Sequence, residues 1–330
     1  MRDVKPLIIH ALARYPPSSL RRVRKVEIVS YAAATREIMS TIAEFQSRLE
    51  QAGYIAEPGL AATLLLFTEL RRPLLVEGEA GVGKTEIAKA LAAVFDCTLI
   101  RLQCYEGLDA GTAVYEWNYQ RQLLAIKIQE SEHTSAEDKE RHIFNEEFLL
   151  KRPLLQAITQ PESPVLLIDE IDRADEEFEA YLLELLSDYQ ISIPEIGTIK
   201  ASSIPYVILT SNGTRELSDA LRRRCLYHYV DYPAIDKELR IIQRHEPQIS
   251  QKLAGQVVAF VHALRGLDLR KKPGIAETLD WVAALLRLRV DKLDGDPALI
   301  AQSLVCLLKT KEDRDAITTE VTSRLVANSI

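Results

Sequence analysis

Glycine and aromatic residues are scarce in this 330-residue chain, with 13 glycines and 6% aromatics. No low-complexity tract occurs, so collagenous, coiled-coil and disordered classes are excluded. The four cysteines, Cys97, Cys104, Cys225 and Cys306, form no C-x-x-C pair. That removes a disulfide framework and a zinc knuckle and leaves reduced, buried thiols. Long hydrophobic runs are missing too: the longest, Leu60 to Phe67, is eight residues with one threonine inside it, against about 20 for a membrane span. The opening MRDVKPLIIHALARYPP has neither a sustained apolar run nor a small-residue cleavage site, so no secretory signal is expected and the expected location is cytoplasmic. No H-E-x-x-H spacing and no G-x-S-x-G elbow occurs, which gives no support to a zinc or serine hydrolase.

A basic body is also lacking. The formal net charge is −7, and residues 1–36 alone carry a surplus of six positive charges, which leaves thirteen negative on the remainder. A protein that grips a phosphate backbone presents a basic surface, so the balance argues against nucleic acid as partner. Residues 1–34 read as a basic N-terminal extension, with Arg21, Arg22, Arg24 and Lys25 as a solvated cluster.

What is present is ordered periodicity. At about 150 residues per domain the length allows two domains. Ile38, Ile42, Phe45 and Leu49 recur at helical spacing and Gly53 stops them, which predicts an amphipathic helix over 35–52, and a second helix covers about 58–70. Short apolar runs then alternate with helical stretches: LLVEG (74–78), TLIRLQ (98–103), PVLLID (164–169), PYVILTSN (205–212) and YHYVDYP (227–233). Nearly continuous hydrophobicity suits strands covered on both faces, and the alternation argues a doubly wound α/β parallel sheet. After Pro233 only helical patterns appear, so the core is expected over 35–233 and an all-helical domain over 234–330. The acidic stretch Glu130 to Glu147 reads as a solvated insertion.

Three of the 13 glycines fall within GEAGVGKT, formed by Gly78, Glu79, Ala80, Gly81, Val82, Gly83, Lys84 and Thr85. It follows an apolar strand and precedes a helical run, the context in which G-x-x-x-x-G-K-[ST] wraps phosphates. Backbone N–H groups must turn inward there, which Cβ atoms obstruct, and the helix N-terminus adds positive potential. Lys84 is expected to reach the β- and γ-phosphates of ATP, and the Thr85 hydroxyl to ligate Mg2+.

Asp169 and Glu170 end the strand PVLLID and extend it. The first is expected to hold magnesium through water, and the second to orient the attacking water and accept its proton, which points to hydrolysis rather than transfer to a metabolite. Asp172 or Asp175 would cap the next helix. Asn212, at the end of TSN, would orient the same water. Arg222, Arg223 and Arg224 read as an arginine finger for a neighbouring subunit or as a solvated basic turn. Arg215 is open between a phosphate and a nearby acid, and Tyr115, Trp117 and Tyr119 between a client-gripping strand face and packing of the insertion.

These elements in this order resemble AAA+ ATPases. QCYEGLD (103–109), LLIDEIDRADEEFEAYLLELLSD (166–188), IPEIGTI (193–199) and ALRRRCLYHYVDYP (220–233) narrow the resemblance to the MoxR family, in its CoxD-like branch of carbon monoxide dehydrogenase accessory ATPases, from about Gly53 to Leu286. The resemblance implies a P-loop AAA+ core, an insertion at about 105–150, a pre-sensor hairpin at about 190–203 and a C-terminal helical lid. It implies a homohexameric ring with ATP and Mg2+ at subunit interfaces and Arg223 and Arg224 acting in trans. Tyr54 and Ile55 would wall the adenine. Partners implied are a protein client, with maturation of a metal-cofactor enzyme among such roles, and a von Willebrand factor A domain protein. A DNA-associated motor, a metabolite kinase and a nucleotide-switched scaffold remain the competing readings. One departure stands out: PGIAETLDW (273–281) has Glu277 and Thr278 where many relatives carry a sensor arginine, with Arg270, Lys271 or Lys272 as candidate substitutes.

Overall fold

The protein is described by a computed structural model over residues 40–129 and 143–329. The basic extension and most of the acidic stretch, which carry two of the expectations above, lie outside the described residues. In chain order the strands are β1 (Leu74–Gly78), β2 (Leu99–Gln103), β3 (Tyr115–Trp117), β4 (Leu149–Lys151), β5 (Val165–Asp169), β6 (Gln190–Ile193), β7 (Gly197–Lys200), β8 (Tyr206–Ser211) and β9 (Leu226–Val230). Five of them form one parallel sheet in the order β2-β5-β8-β1-β9. The strands of that sheet were readable as apolar runs; burial is complete along central β5 and lapses at the edges, where Arg101 and Gln103 of β2 and Tyr227 and Tyr229 of β9 are exposed. Val165 and Leu167 pack with one helical layer and Leu166 and Ile168 with the other, all four fully buried.

The first layer comes from helices α1 (residues 40–51), α2 (Pro58–Leu70) and α3 (Lys84–Phe95). Helix α4 (Tyr119–Gln129) follows β3, and α5 (Pro153–Ile158) and α6 (Glu176–Asp188) cover the opposite face. Asp175 caps α6 by accepting the Phe178 N–H at 2.8 Å. Asp172 caps nothing; it is drawn instead to the loop after β8. Helix α7 (Asp219–Arg224), capped by Ser218, carries the arginine cluster. Two antiparallel pairs, β3 with β4 and β6 with β7, stand apart from the sheet.

The aromatic trio does not share a strand face. The strand ends at Trp117, which is buried and meets Phe144 edge to face at 5.2 Å, whereas Tyr119 opens α4 and is 63% exposed. An aromatic core contact wins over the alternation because the chain turns into a helix directly after Trp117.

Beyond β9 every described element is helical: α8 (Ile235–His245), α9 (Gln251–Arg265), α10 (Ile275–Arg287), α11 (Pro297–Ser303), α12 (Lys311–Ala316) and α13 (Thr319–Ala327), besides a short 3-10 turn. Their core centres on Trp281 and Phe260, with the Trp281 indole N–H donated to Ser303 Oγ at 2.8 Å. A buried ion pair pins this unit to its linker. Arg265 donates to both carboxylate oxygens of Glu238 at 2.7 and 2.8 Å and to the Pro273 carbonyl, and its guanidinium lies 4.9 Å from the Tyr232 ring centre. Arg265→Met should therefore cost about 3–5 kcal/mol in urea unfolding, because Glu238 is left buried without its cation; a loss below about 1 kcal/mol would show the pair to be dispensable.

Candidate nucleotide site

The carboxyl ends of the parallel strands open on a cavity of about 620 Å³ between the sheet and the C-terminal helices. Its rim begins where β1 gives way to α3. Gly83 precedes α3 at φ +92°, a conformation only glycine adopts freely, and the helix N-terminus starts at Lys84. Such an end is an anion site. Burial lowers the Lys84 ammonium pKa, while Asp172, Asp169, Glu79 and Glu170 pull it back up. Lys84 donates at 2.7 Å to the Gly78 and Glu79 carbonyls and to Asn212 Oδ1.

Asp169, buried at the end of β5, gathers the neighbouring elements. It accepts from Thr85 Oγ1 at 3.1 Å, from Thr210 Oγ1 on β8 at 2.5 Å and from Arg101 of β2 at 2.6 Å. Glu170 has left-handed backbone at φ +57° and ψ +50°, and its N–H is held by Thr210 Oγ1 at 2.9 Å. That turn lifts its carboxylate off the strand line, where Gln103 donates to it at 3.0 Å, Arg173 pairs with it at 2.9 Å and Asn212 Nδ2 stands 3.5 Å away. The oxygen-only pair of Thr85 and Asp169 suits a hard divalent cation that keeps most of its waters. Among the described residues no cluster of three or more histidine, cysteine, aspartate or glutamate side chains is arranged to hold a metal, so a cation here would depend on water and phosphate oxygens.

Of the residues expected at the site, Tyr54, Ile55, Ala80, Gly81, Val82, Gly83, Lys84, Thr85, Asp169, Glu170 and Asn212 line this one cavity. Gly78 and Glu79 act behind it through their carbonyls. Tyr54 and Ile55 lie at the apolar end with Ile241 and Leu279, and burial pushes the Tyr54 phenol far up, so it stays neutral. Arg223 and Arg224 do not line the cavity. Arg223 is 83% exposed, whereas Arg224 is engaged with Ser187 Oγ and its own helix's Ala220 carbonyl. Arg215 pairs with buried Glu179 and donates to the Ala174 carbonyl, so the acid rather than a phosphate holds it.

The proposed substitutes for the sensor arginine lie elsewhere. Arg270 pairs with Glu312, the backbone N–H groups of Arg270 and Lys271 are held by Asp313, and none of Arg270, Lys271 and Lys272 lines the cavity. Glu277 accepts the Gly274 N–H at 2.9 Å and so starts α10. In place of a cationic contact, backbone meets backbone: the Ile275 N–H donates to the Gly81 carbonyl at 2.8 Å, and a Cβ on Gly274 would sit 2.7 Å from Gly81. Lys89 and Lys237 are cations that do line the cavity.

Sequence reasoning missed Arg101, Gln103, Arg173 and Thr210. A signal existed in β2: Arg101 and Gln103 are alternate, exposed polar residues on a strand whose intervening Leu102 is buried, which places both on one face beside the acidic strand.

Residues 73–225 match the family described as AAA domain (dynein-related subfamily), and the parallel sheet with its flanking helices has the P-loop AAA+ fold. Two curated relatives are uncharacterized proteins of Staphylococcus aureus, one from a bovine strain and one from strain USA300. They are 29% and 28% identical over 258 residues, or 76% of this chain and 89% of theirs. Among solved structures, a proline-to-glycine mutant of Thermotoga maritima RuvB is 20% identical at TM-score 0.45, covering 81% of this chain and 73% of that one. The Thermotoga maritima RuvB Holliday junction branch migration motor is 18% identical at TM-score 0.39, covering 74% and 66%.

Thr210 is the joint between the two acidic residues. Thr210→Val keeps its shape but leaves the Glu170 N–H without its acceptor, and should destabilise the chain by about 1–3 kcal/mol; denaturant unfolding with an unchanged midpoint would count against the joint.

Proposed function

We propose that this chain, through its AAA domain, hydrolyses ATP with magnesium and works as a ring-forming, MoxR-type chaperone of the CoxD-like branch on a protein client. The observation that carries the reading is the convergence of Lys84, Thr85, Asp169, Glu170 and Asn212 at one end of a single cavity. Bound there, magnesium would be held by Thr85 and Asp169 and would neutralise charge on the phosphate oxygens. The chain's own groups do the rest. The residues 81–85 backbone and Lys84 hold the β- and γ-phosphates, which requires the Lys84 ammonium to exchange its present carbonyl partners for phosphate oxygens. Glu170 accepts a proton from water as that water's oxygen bonds to the γ-phosphorus; the bond from phosphorus to the bridging oxygen breaks and ADP leaves. Asn212, between Lys84 and Glu170, orients that water. Tyr54 and Ile55 wall the adenine.

Hydrolysis fits better than transfer to a metabolite, because Glu170 and Asn212 together are placed to hold a water, and the exposed Arg223 has no role in a kinase that works as a single chain. A ring fits the arginines. Arg223, exposed and held only by a loose 3.9 Å pairing with Asp219, can reach outward and is the stronger finger; Arg224 would first have to release Ser187 and Ala220. A finger supplied in trans accelerates hydrolysis by about 10³–10⁵. The protein client, with a von Willebrand factor A domain protein as co-partner, is supported by apolar surface on α4, where Leu123, Leu124 and Ile128 are exposed beside Tyr119. The acidic body gives nucleic acid no comparable support, and no described helix is long and apolar enough to cross a membrane.

Glu170→Gln should bind ATP like the parent and turn over about 10²–10⁴ times more slowly, while Lys84→Ala should lose ATP binding in titration calorimetry. Tight ATP binding by the Lys84 variant would overturn the assignment. In sedimentation, the Glu170→Gln chain with magnesium and ATP should move from the mass of one chain toward that of six; a single chain under every condition would dismiss the ring.

A further inference from the structure

Downstream of Glu170 the chain makes one 3-10 turn, Ile171–Arg173, and Asp172 sits inside it only 4% exposed. The hydrogen bonds that this carboxylate accepts from the 212–214 loop fall on one oxygen. Asp172 Oδ2 accepts the Asn212 N–H at 3.2 Å, the Thr214 N–H at 3.0 Å and the Thr214 hydroxyl at 2.6 Å, while Oδ1 is buried without a partner among the described residues. The loop so gripped carries Asn212, whose side chain spans the gap between Lys84 at 2.7 Å and Glu170 at 3.5 Å. No ladder bond of the β5–β8 pairing reaches Asn212; its register ends at Ile168 opposite Leu209. The backbone of Asn212 therefore hangs beyond the sheet and is fixed from the β5 side by Asp172.

We infer that Asp172 is a positioning residue for ATP hydrolysis: its Oδ2 anchors the 212–214 loop to the turn that bears Glu170, so that Asn212 and Glu170 hold a common geometry at the γ-phosphate. The inference rests on the proposed ATPase reading. Asp172 does not line the cavity, so its hydrogen bonds act on the rate through Asn212, while its charge also helps to keep the Lys84 ammonium protonated. Burial works against the charged form of Asp172, but the Thr214 and Asn212 hydrogen bonds outweigh it and hold the carboxyl below its ordinary value; the acceptor is thus ionised at neutral pH. Three donors on one oxygen also mean that an asparagine can offer its carbonyl oxygen to the same loop, whereas alanine offers nothing.

The test is a double-mutant cycle on the full chain, read by turnover, by affinity for a non-hydrolysable ATP analogue and by hydrogen exchange of the Asn212 and Thr214 amides. A displacement of the order of 1 Å at a reacting group lowers rate by about 100-fold. Asp172→Ala should accordingly slow turnover by about 10- to 100-fold, with analogue affinity within about threefold of the parent. The Asn212 and Thr214 amides should exchange at least about tenfold faster. Combining it with Asn212→Ala should slow the slower single variant by no more than about twofold, because both remove the same placement. Asp172→Asn should recover at least about a third of the lost rate on a logarithmic scale. Multiplying losses in the double variant, unchanged amide exchange, unchanged turnover or a parallel loss of affinity would each overturn the inference. If Asp172→Ala does not fold, Thr214→Val removes the shortest of the three bonds and should slow turnover by about 3- to 10-fold at unchanged affinity; a parental rate overturns the inference. A parent whose turnover ignores Glu170→Gln would sink the ATPase reading and with it the proposed role, even if amide exchange still reported the anchor.

Discussion

A single buried carboxylate sets the terms for the rest of the structure. Asp169 stands at the end of an apolar strand, where an ionised group without compensation would cost several kcal/mol. It is compensated by Thr85 from the first turn of α3, Thr210 from β8 and Arg101 from β2. Those donors come from three elements, so satisfying one oxygen pair fixes the phosphate loop, the strand β8 that leads to Asn212 and the edge strand β2 relative to one another. The parallel sheet supplies the frame, since all its strands end on the same side and deliver their last residues to a common rim.

Around that hub the polar side chains are shared rather than paired off. Thr210 serves Asp169 with its proton and Glu170 with its lone pair; Asn212 faces Lys84 with one end and Glu170 with the other. Sharing makes the site cooperative, because moving one member leaves more than one partner unsatisfied. The left-handed backbone at Glu170 belongs to the same economy of space: strain of about 1–3 kcal/mol persists where the surroundings over-determine it, and the Thr210 hydroxyl and the Arg173 ion pair do so here.

The C-terminal helices meet this site through backbone. Gly274 lies against Gly81, and the Ile275 N–H closes on the Gly81 carbonyl. Contact of that kind depends on the absence of side chains and is sensitive to small rigid-body shifts. Arg265, stacked near Tyr232 and bonded to Glu238 and Pro273, stiffens the linker on which such shifts would pivot. Glu277 is bound up in starting α10.

Much of this was legible in the chain itself. Apolar runs announced the five parallel strands, unbroken where both faces are covered, as in β5, and interrupted by exposed side chains at the edges β2 and β9, and clustered glycines announced the phosphate loop because its geometry excludes Cβ atoms. Lys84, Thr85, Asp169, Glu170 and Asn212 were readable for the same reason, each bound to a strand end or helix start by local chemistry. Other features were decided only in three dimensions. Whether Trp117 grips or packs, whether Arg215 meets a phosphate or Glu179, and which oxygen Asp172 gives to Asn212 depend on partners 27 to 40 residues away. No local periodicity carries such information; it appears when the sheet brings strand ends together and buried polar groups must find one another.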